Sequence, residues 1–288
     1  MSCESIRFTS SGKNCCYYRI GYWNLLLKQA TSRSLEVDRT IYEHIDLCVD
    51  WAPTSNGTLR IFADYMTSGC YVARGRNYNK GCYNLGATEA SRKNGEIIFN
   101  YSGGTNDAKG LSSADWQNLW IEAFKYVSAT LGIPFSEDLS ANADIELTDN
   151  GSGAFSQSSG FISRGILFKD SSRINIPTSW SGSNPSSFGD YAWQAVVHEL
   201  GHSSGLGHPG DYNGTVDWDN EVEFKNNSWA MTIVSYINQS ANENISFSKS
   251  YISTFSAANV LALDDLYASQ GFRAPQAFAE DTIDDSTL

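Results

Sequence analysis

The sequence predicts an α+β domain: a mixed, twisted sheet carrying three main helices, preceded by a small cysteine-containing, β-rich segment. Three observations predict it. A long amphipathic helical pattern occupies residues 111–132. Short alternating apolar stretches at 96–101, 143–148, 160–169 and 173–177 read as strands. Two further helical stretches close the chain, one holding a cluster of histidines and the other spanning 257–271.

Each element has a local reason. In LSSADWQNLWIEAFKYVSATLG (111–132), Trp116, Leu119, Trp120, Ala123, Phe124, Val127 and Leu131 fall on one helical face. Ser112 or Ser113 can cap its start, and Gly132 suits its end. EIIFNY (96–101) and ADIELT (143–148) read as strands, as do GFISRGILFK (160–169) and RINIP (173–177). A Ser-, Gly- and Asn-rich loop (178–189) leads into the histidine helix. In AANVLALDDLYASQG (257–271), Val260, Leu263 and Tyr267 share a face. Nearer the N-terminus, IDLCVDW (45–51) and LRIFADY (59–65) alternate around APTSNGT, which predicts a β-hairpin.

Composition divides the chain. Its 288 residues are enough for a sizeable core. Lys and Arg number 12 against 8 Asp and Glu over residues 1–95, and 8 against 24 over the remainder. All six cysteines (Cys3, Cys15, Cys16, Cys48, Cys70, Cys82) precede residue 83. The two changes coincide, which places a boundary near 88–95. The expected organisation is an N-terminal cysteine-containing segment (1–92), a main domain (93–272) and an acidic tail (273–288). Six cysteines allow about 15 disulfide pairings, and free thiols are equally open. The net charge of −12 excludes nucleic acid and anionic membrane as expected partners. The longest apolar runs are too short for a membrane-spanning helix. The N-terminus lacks the apolar core and small-residue cleavage site of a secretory signal.

The chain has four histidines, and three of them lie in QAVVHELGHSSGLGHPGDYNG (194–214). His198 and His202, four apart on a helix, point to the same side. Gly205 can end that helix and turn the chain. The turn can bring His208 back as a third nitrogen ligand. Three neutral imidazoles with an open position suit a catalytic Zn²⁺. Glu199, beside His198, is placed to take a proton from an attacking water. His44, isolated, reads as an ordinary histidine.

HELGHSSGLGH resembles the HExxHxxGxxH signature of the metzincin zinc metallopeptidases, and HPGDYNG (208–214) resembles the serralysin branch. The helices at 111–132 and 257–271 are similar to that family's first and last catalytic-domain helices. The likeness covers roughly residues 95–272. It implies a secreted zinc endopeptidase acting on protein or peptide substrates, with His198, His202 and His208 on the metal and Glu199 as the base. It also implies that Tyr236 binds the metal at rest and supports the transition state. A peptide would lie along the edge strand above the site, expected at 160–169.

Three departures stand out. The family's methionine turn is here AMTIVSYIN (230–238), with Ser235 and Tyr236 matching but Val234 at the methionine position. Either Val234 supplies the hydrophobic floor, or the turn is shifted and Met231 does. The family's glycine-rich repeats are missing from the sequence, so Ca²⁺ has no motif in its favour. The cysteine-bearing first segment matches nothing in the family. Two rival functions follow: a zinc-bearing binding or adhesion protein with an idle site, and a latent proenzyme whose first segment blocks the cleft. In the second, a thiolate from Cys70 or Cys82 would occupy the open metal position.

Overall fold

The computed structural model describes residues 5–10, 13–18, 53, 55–85, 95–103, 110–139, 143–181 and 189–272. The chain divides into two compact units, Met1–Trp51 and Ala52–Leu288. In the first, strands β1 (Ser5–Ser10) and β2 (Lys13–Tyr18) form an antiparallel hairpin. The expected strand at 45–51 and His44 lie outside the described residues. The second unit holds the sheet, the main helices and the histidine motif.

That unit begins well before the boundary expected near residue 92. Leu59, Phe62, Ala63, Met66, Cys82, Tyr83 and Leu85 all belong to its main core. The stretch read as the second hairpin strand is helix α1 (Leu59–Asp64), continued by a π turn (Tyr65–Gly69) and α2 (Cys70–Ala73). Two periods compete in LRIFADY. The alternating one would bury Ile61, which is 45% exposed. The helical one buries Leu59, Phe62, Ala63 and Met66, and it prevails because this stripe meets the core. Thr58 caps the start, its hydroxyl accepting from the Ile61 N–H at 3.2 Å.

Helix α3 (Ala114–Leu131) forms as its pattern predicts. Ser113, rather than Ser112, is the cap, accepting from the Trp116 N–H. Ser112 instead bonds the Asp149 carboxylate. Gly132, at φ 70°, ends the helix. The seven apolar residues of the face are all buried, and the Phe124 ring stacks on Phe99 with centroids 3.9 Å apart. Each large side chain so buried contributes about 1.5–3 kcal/mol.

The sheet contains β3 (Lys80–Tyr83), β4 (Ile97–Asn100), β5 (Phe135–Glu137), β6 (Ile145–Thr148), β7 (Phe155–Ser163) and β8 (Ile166–Asn175). Its order is β3-β8-β6-β4-β5, all parallel, with β7 added antiparallel to β8. The sheet is therefore mixed, as expected. The single strand read at 160–169 is in fact a tight hairpin. Arg164 and Gly165 both adopt positive φ, 51° and 79°, the backbone of a two-residue hairpin turn. The edge strand is thus Phe155–Ser163, and 166–169 lies inside the sheet between β3 and β7. At Gly160 the β7–β8 register shifts, and an added Cβ would fall 2.0 Å from the Phe168 carbonyl oxygen.

Helices α4 (Tyr191–Ser204) and α6 (Ala257–Tyr267) complete the three main helices, and a short α5 (Trp218–Glu221) lies between them. Asp190 caps α4 by accepting from the Trp193 N–H at 2.8 Å. A reciprocal box of Ser256 and Asn259 caps α6. Gly205, at φ 125°, turns the chain out of α4, and a Cβ there would lie 2.2 Å from the Gly81 carbonyl oxygen.

Two substitutions check this packing by urea unfolding. Phe124→Ala is expected to lose about 3–5 kcal/mol; a loss under ~1 kcal/mol would contradict the stacked core. Gly205→Ala is expected to lose more than ~2 kcal/mol, because both φ and the approach of Gly81 exclude a side chain. Stability within ~0.5 kcal/mol of the parent would disprove that turn.

Candidate metal centre

Helix α4 places His198 and His202 one turn apart, and the turn at Gly205 returns His208 to them. Each ring is oriented from behind by a backbone carbonyl. Nδ1 of His198 meets the Ile233 oxygen at 2.8 Å, Nδ1 of His202 meets Leu206 at 2.8 Å, and Nδ1 of His208 meets Tyr212 at 2.9 Å. A carbonyl only accepts, so each Nδ1 carries the proton and each Nε2 is left with a bare lone pair. Those Nε2 atoms converge. His202 Nε2 stands 3.0 Å from Nε2 of both His198 and His208.

Burial keeps the rings neutral. It draws His198 down to about 4, and His202 and His208 well below the ordinary imidazole value, with the neighbouring histidines adding to the effect on the latter two. Three neutral lone pairs facing one another repel unless something positive lies between them. Tetrahedral zinc with bonds of about 2.0–2.1 Å sets its nitrogen ligands about 3.3 Å apart. The donor type, the tautomers and the spacing all fit a divalent metal ion, and these three histidines are a group that could hold one.

Glu199 lies beside them on the cleft. Its Oε2 is buried without a hydrogen-bond partner among the described residues, and burial pushes its carboxyl up to about 8. Tyr236 closes another side, its ring centroid 4.4 Å from that of His208 and 5.8 Å from that of His198. Burial, and next the Glu199 charge, raise its phenol pKa.

Val234, not Met231, forms the hydrophobic floor. Its side chain is fully buried against Gly201 of α4, whereas Met231 is only partly buried at the core margin. Asn259 holds this turn from α6, accepting from the Ile233 N–H and donating to Thr232. A buried network fixes the residues on either side. Asn227 donates to the Pro209 carbonyl and the Tyr212 hydroxyl, and accepts from Ser235.

Several contributors gave no signal in the sequence. The Arg74 guanidinium donates to the Tyr212 carbonyl that also orients His208, and pairs with Asp211 at 3.4 Å. Nothing local in YVARGR marks Arg74, because its partners lie more than 130 positions away. The thiolate block from Cys70 or Cys82 is overturned. Both are free and buried, and neither lines the cleft. Cys70 donates to the Met66 carbonyl, and burial raises its thiol to about 12; burial raises Cys82 as well.

The cleft lined by His198, Glu199 and Tyr236 has a volume of about 530 Å³. Gly153 and Ala154, where the chain enters β7, form one wall. Trp180, Tyr191 and Trp229 form an aromatic surface on it. Trp180 stacks on Tyr191 with centroids 6.0 Å apart, and both remain partly exposed.

No family model matches the chain. No helix among the described residues is long and apolar enough to cross a membrane. A curated protein, metallopeptidase AprA of Pseudomonas marginalis, is 33% identical over 84 residues, 28% of this chain. The match spans 17% of that relative's length. The chain is therefore similar to part of a metallopeptidase and carries three histidines that could hold a metal, which is compatible with a metzincin-type fold.

Proposed function

We propose that the chain is a secreted zinc-dependent endopeptidase of serralysin-like, metzincin type. The observation that carries this reading is the convergence of three imidazole Nε2 lone pairs, with His198 and the neighbouring Glu199, one of whose carboxyl oxygens is buried without a hydrogen bond, lining an open cleft. His198, His202 and His208 would hold Zn²⁺, with Tyr236 closing the site at rest. Zinc held there supplies Lewis acidity, polarising the scissile carbonyl and bringing the pKa of a water to roughly 7.

The chain's own residues do the rest. The Glu199 carboxylate takes a proton from the attacking water and returns it to the departing amine. Its dry surroundings favour the protonated form, which strengthens the carboxylate as a base in the first step. The Tyr236 phenol, whose raised pKa keeps its proton in place, donates a hydrogen bond to the oxygen on which charge develops. Edge strand β7 offers its free side to an extended peptide, which adds as a further strand. The aromatic surface of Trp180, Tyr191 and Trp229 receives an apolar side chain of that peptide.

A binding protein with an idle metal site would have no use for Glu199, since three imidazoles alone hold a metal. Burying a carboxyl oxygen without a hydrogen-bond partner is costly, and a proton-transfer role supplies a reason for it.

Metal content and casein cleavage, measured on one purified sample, test the reading. The expected result is about one zinc per chain and cleavage abolished by a chelator. Glu199→Gln is expected to keep its zinc and lose about 10³-fold or more in kcat; near-parental turnover would dismiss Glu199 as the base. His202→Ala is expected to lose stoichiometric zinc, and full retention would point to other ligands.

A further inference from the structure

The carbonyl end of α4 shows a device beyond the metal ligands. The last carbonyls of a helix lack partners within it. Here they face the protein interior, and side chains from three other elements satisfy them. The Lys169 ammonium, from β8, donates to the carbonyls of His202 at 2.8 Å and Ser203 at 2.7 Å. The Tyr267 hydroxyl, from α6, donates to Ser204 at 2.7 Å. The Tyr71 hydroxyl, from α2, donates to Gly205 at 2.9 Å. The chain then continues under the same control. The Leu206 carbonyl takes the His202 ring proton, and the Gly207 N–H donates to Met66 at 2.7 Å. Every peptide from His202 to Gly207 is thus tied to something outside the helix's own ladder.

We propose that Lys169, together with the phenols of Tyr71 and Tyr267, is a clamp that sets the separation of His202 and His208 and thereby the metal affinity of the site. Lys169 is a positioning residue, since it acts through the backbone of α4 and touches neither metal nor substrate. This inference rests on the reading of the three histidines as a metal site.

The choice of lysine supports a role beyond filling space. Water would satisfy the carbonyls of an exposed helix end, and a neutral donor would satisfy one buried carbonyl. Lys169 is 7% exposed, and burial draws its amine down to about 7, so keeping it charged there is costly. In return it binds two successive carbonyls with one group and meets the negative end of the helix dipole. The two carbonyls belong to a proposed ligand residue and its neighbour. Two of the donors also share a neighbourhood: a Cβ added at Gly81 of β3 would lie 3.5 Å from both the Lys169 Cε and the Tyr71 hydroxyl.

The test uses the full chain and metal ions alone, apart from turnover. Zn²⁺ affinity is measured by competition with a chromophoric chelator, and the site geometry by the visible absorption of the Co²⁺-substituted protein. Urea unfolding of the metal-free protein is followed in parallel. Lys169→Met is expected to weaken Zn²⁺ binding about 10–100-fold and to alter the Co²⁺ bands. Tyr71→Phe and Tyr267→Phe are expected to weaken it about 3–10-fold each. Lys169→Arg, which keeps the cation and its donors, is expected to recover part of the loss.

Variants that lose stability but bind Zn²⁺ within about twofold of the parent, with unchanged Co²⁺ bands, would overturn the clamp and leave the metal site standing. Should Lys169→Met fail to fold, the two phenylalanine variants decide by the same limits. If the unaltered chain takes up no Zn²⁺ at all, the metal site and the clamp fall together.

Discussion

Three lone pairs aimed at one point, inside a protein, are the constraint from which the rest of this structure follows. Each imidazole is held from behind by a carbonyl that fixes its tautomer and its direction. Those carbonyls come from three separate places: the turn at Ile233, the bend at Leu206 and the loop at Tyr212. Each place has to be rigid, because an imidazole pivots with the oxygen it is bonded to. Interior packing transmits such demands efficiently, since a close-packed core has little slack. A positive charge between the nitrogens would offset their repulsion, and the geometry is that of a group that could hold a cation.

The supports divide the work between packing and polar contacts. Under His198, α6 presents Asn259 to the Ile233 turn, and Val234 fills the space against Gly201. Valine has fewer rotamers than methionine, so a stiffer and smaller side chain serves as floor. Under His208, the Asn227 network fixes Pro209, Tyr212 and Ser235 together, which also places the adjoining Tyr236. Such networks are strong when every member is satisfied and costly when one is missing. The segment 55–85 belongs to this scheme. It contributes Met66 and Tyr71 to the bend after α4, and Arg74 to the loop after His208.

That segment also shows where the sequence was readable and where it was not. The histidine spacing was legible because a helix makes positions four apart neighbours, and because a glycine followed. Helix α3 was legible for the same reason, with seven apolar positions on one face. LRIFADY was misread because its apolar residues satisfy two periods at once, and only the position of the core distinguishes them. Strand β7 was half missed because FSQSSGFIS is mostly small and polar, and its place comes from pairing with β8 rather than from burial. The composition boundary near residue 92 marked a real change in charge and cysteine content. Yet charge is a surface property, and the core runs straight across it.

Glu199 gives the last step of the argument. Among the described residues its Oε2 is a buried side-chain polar atom that lacks a hydrogen bond. Folding alone gives no reason to keep that carboxylate. An apolar residue of similar size would fill the space without the desolvation penalty. Coordination gives no reason either, because the three nitrogens meet without it. A carboxyl group whose pKa burial raises, facing an open cleft beside those nitrogens, is the kind of group that exchanges protons at a functional site. In the peptidase proposed above, the stability sacrificed at this position would serve a chemical step in the cleft, and it is the feature that would separate a hydrolytic centre from a metal store.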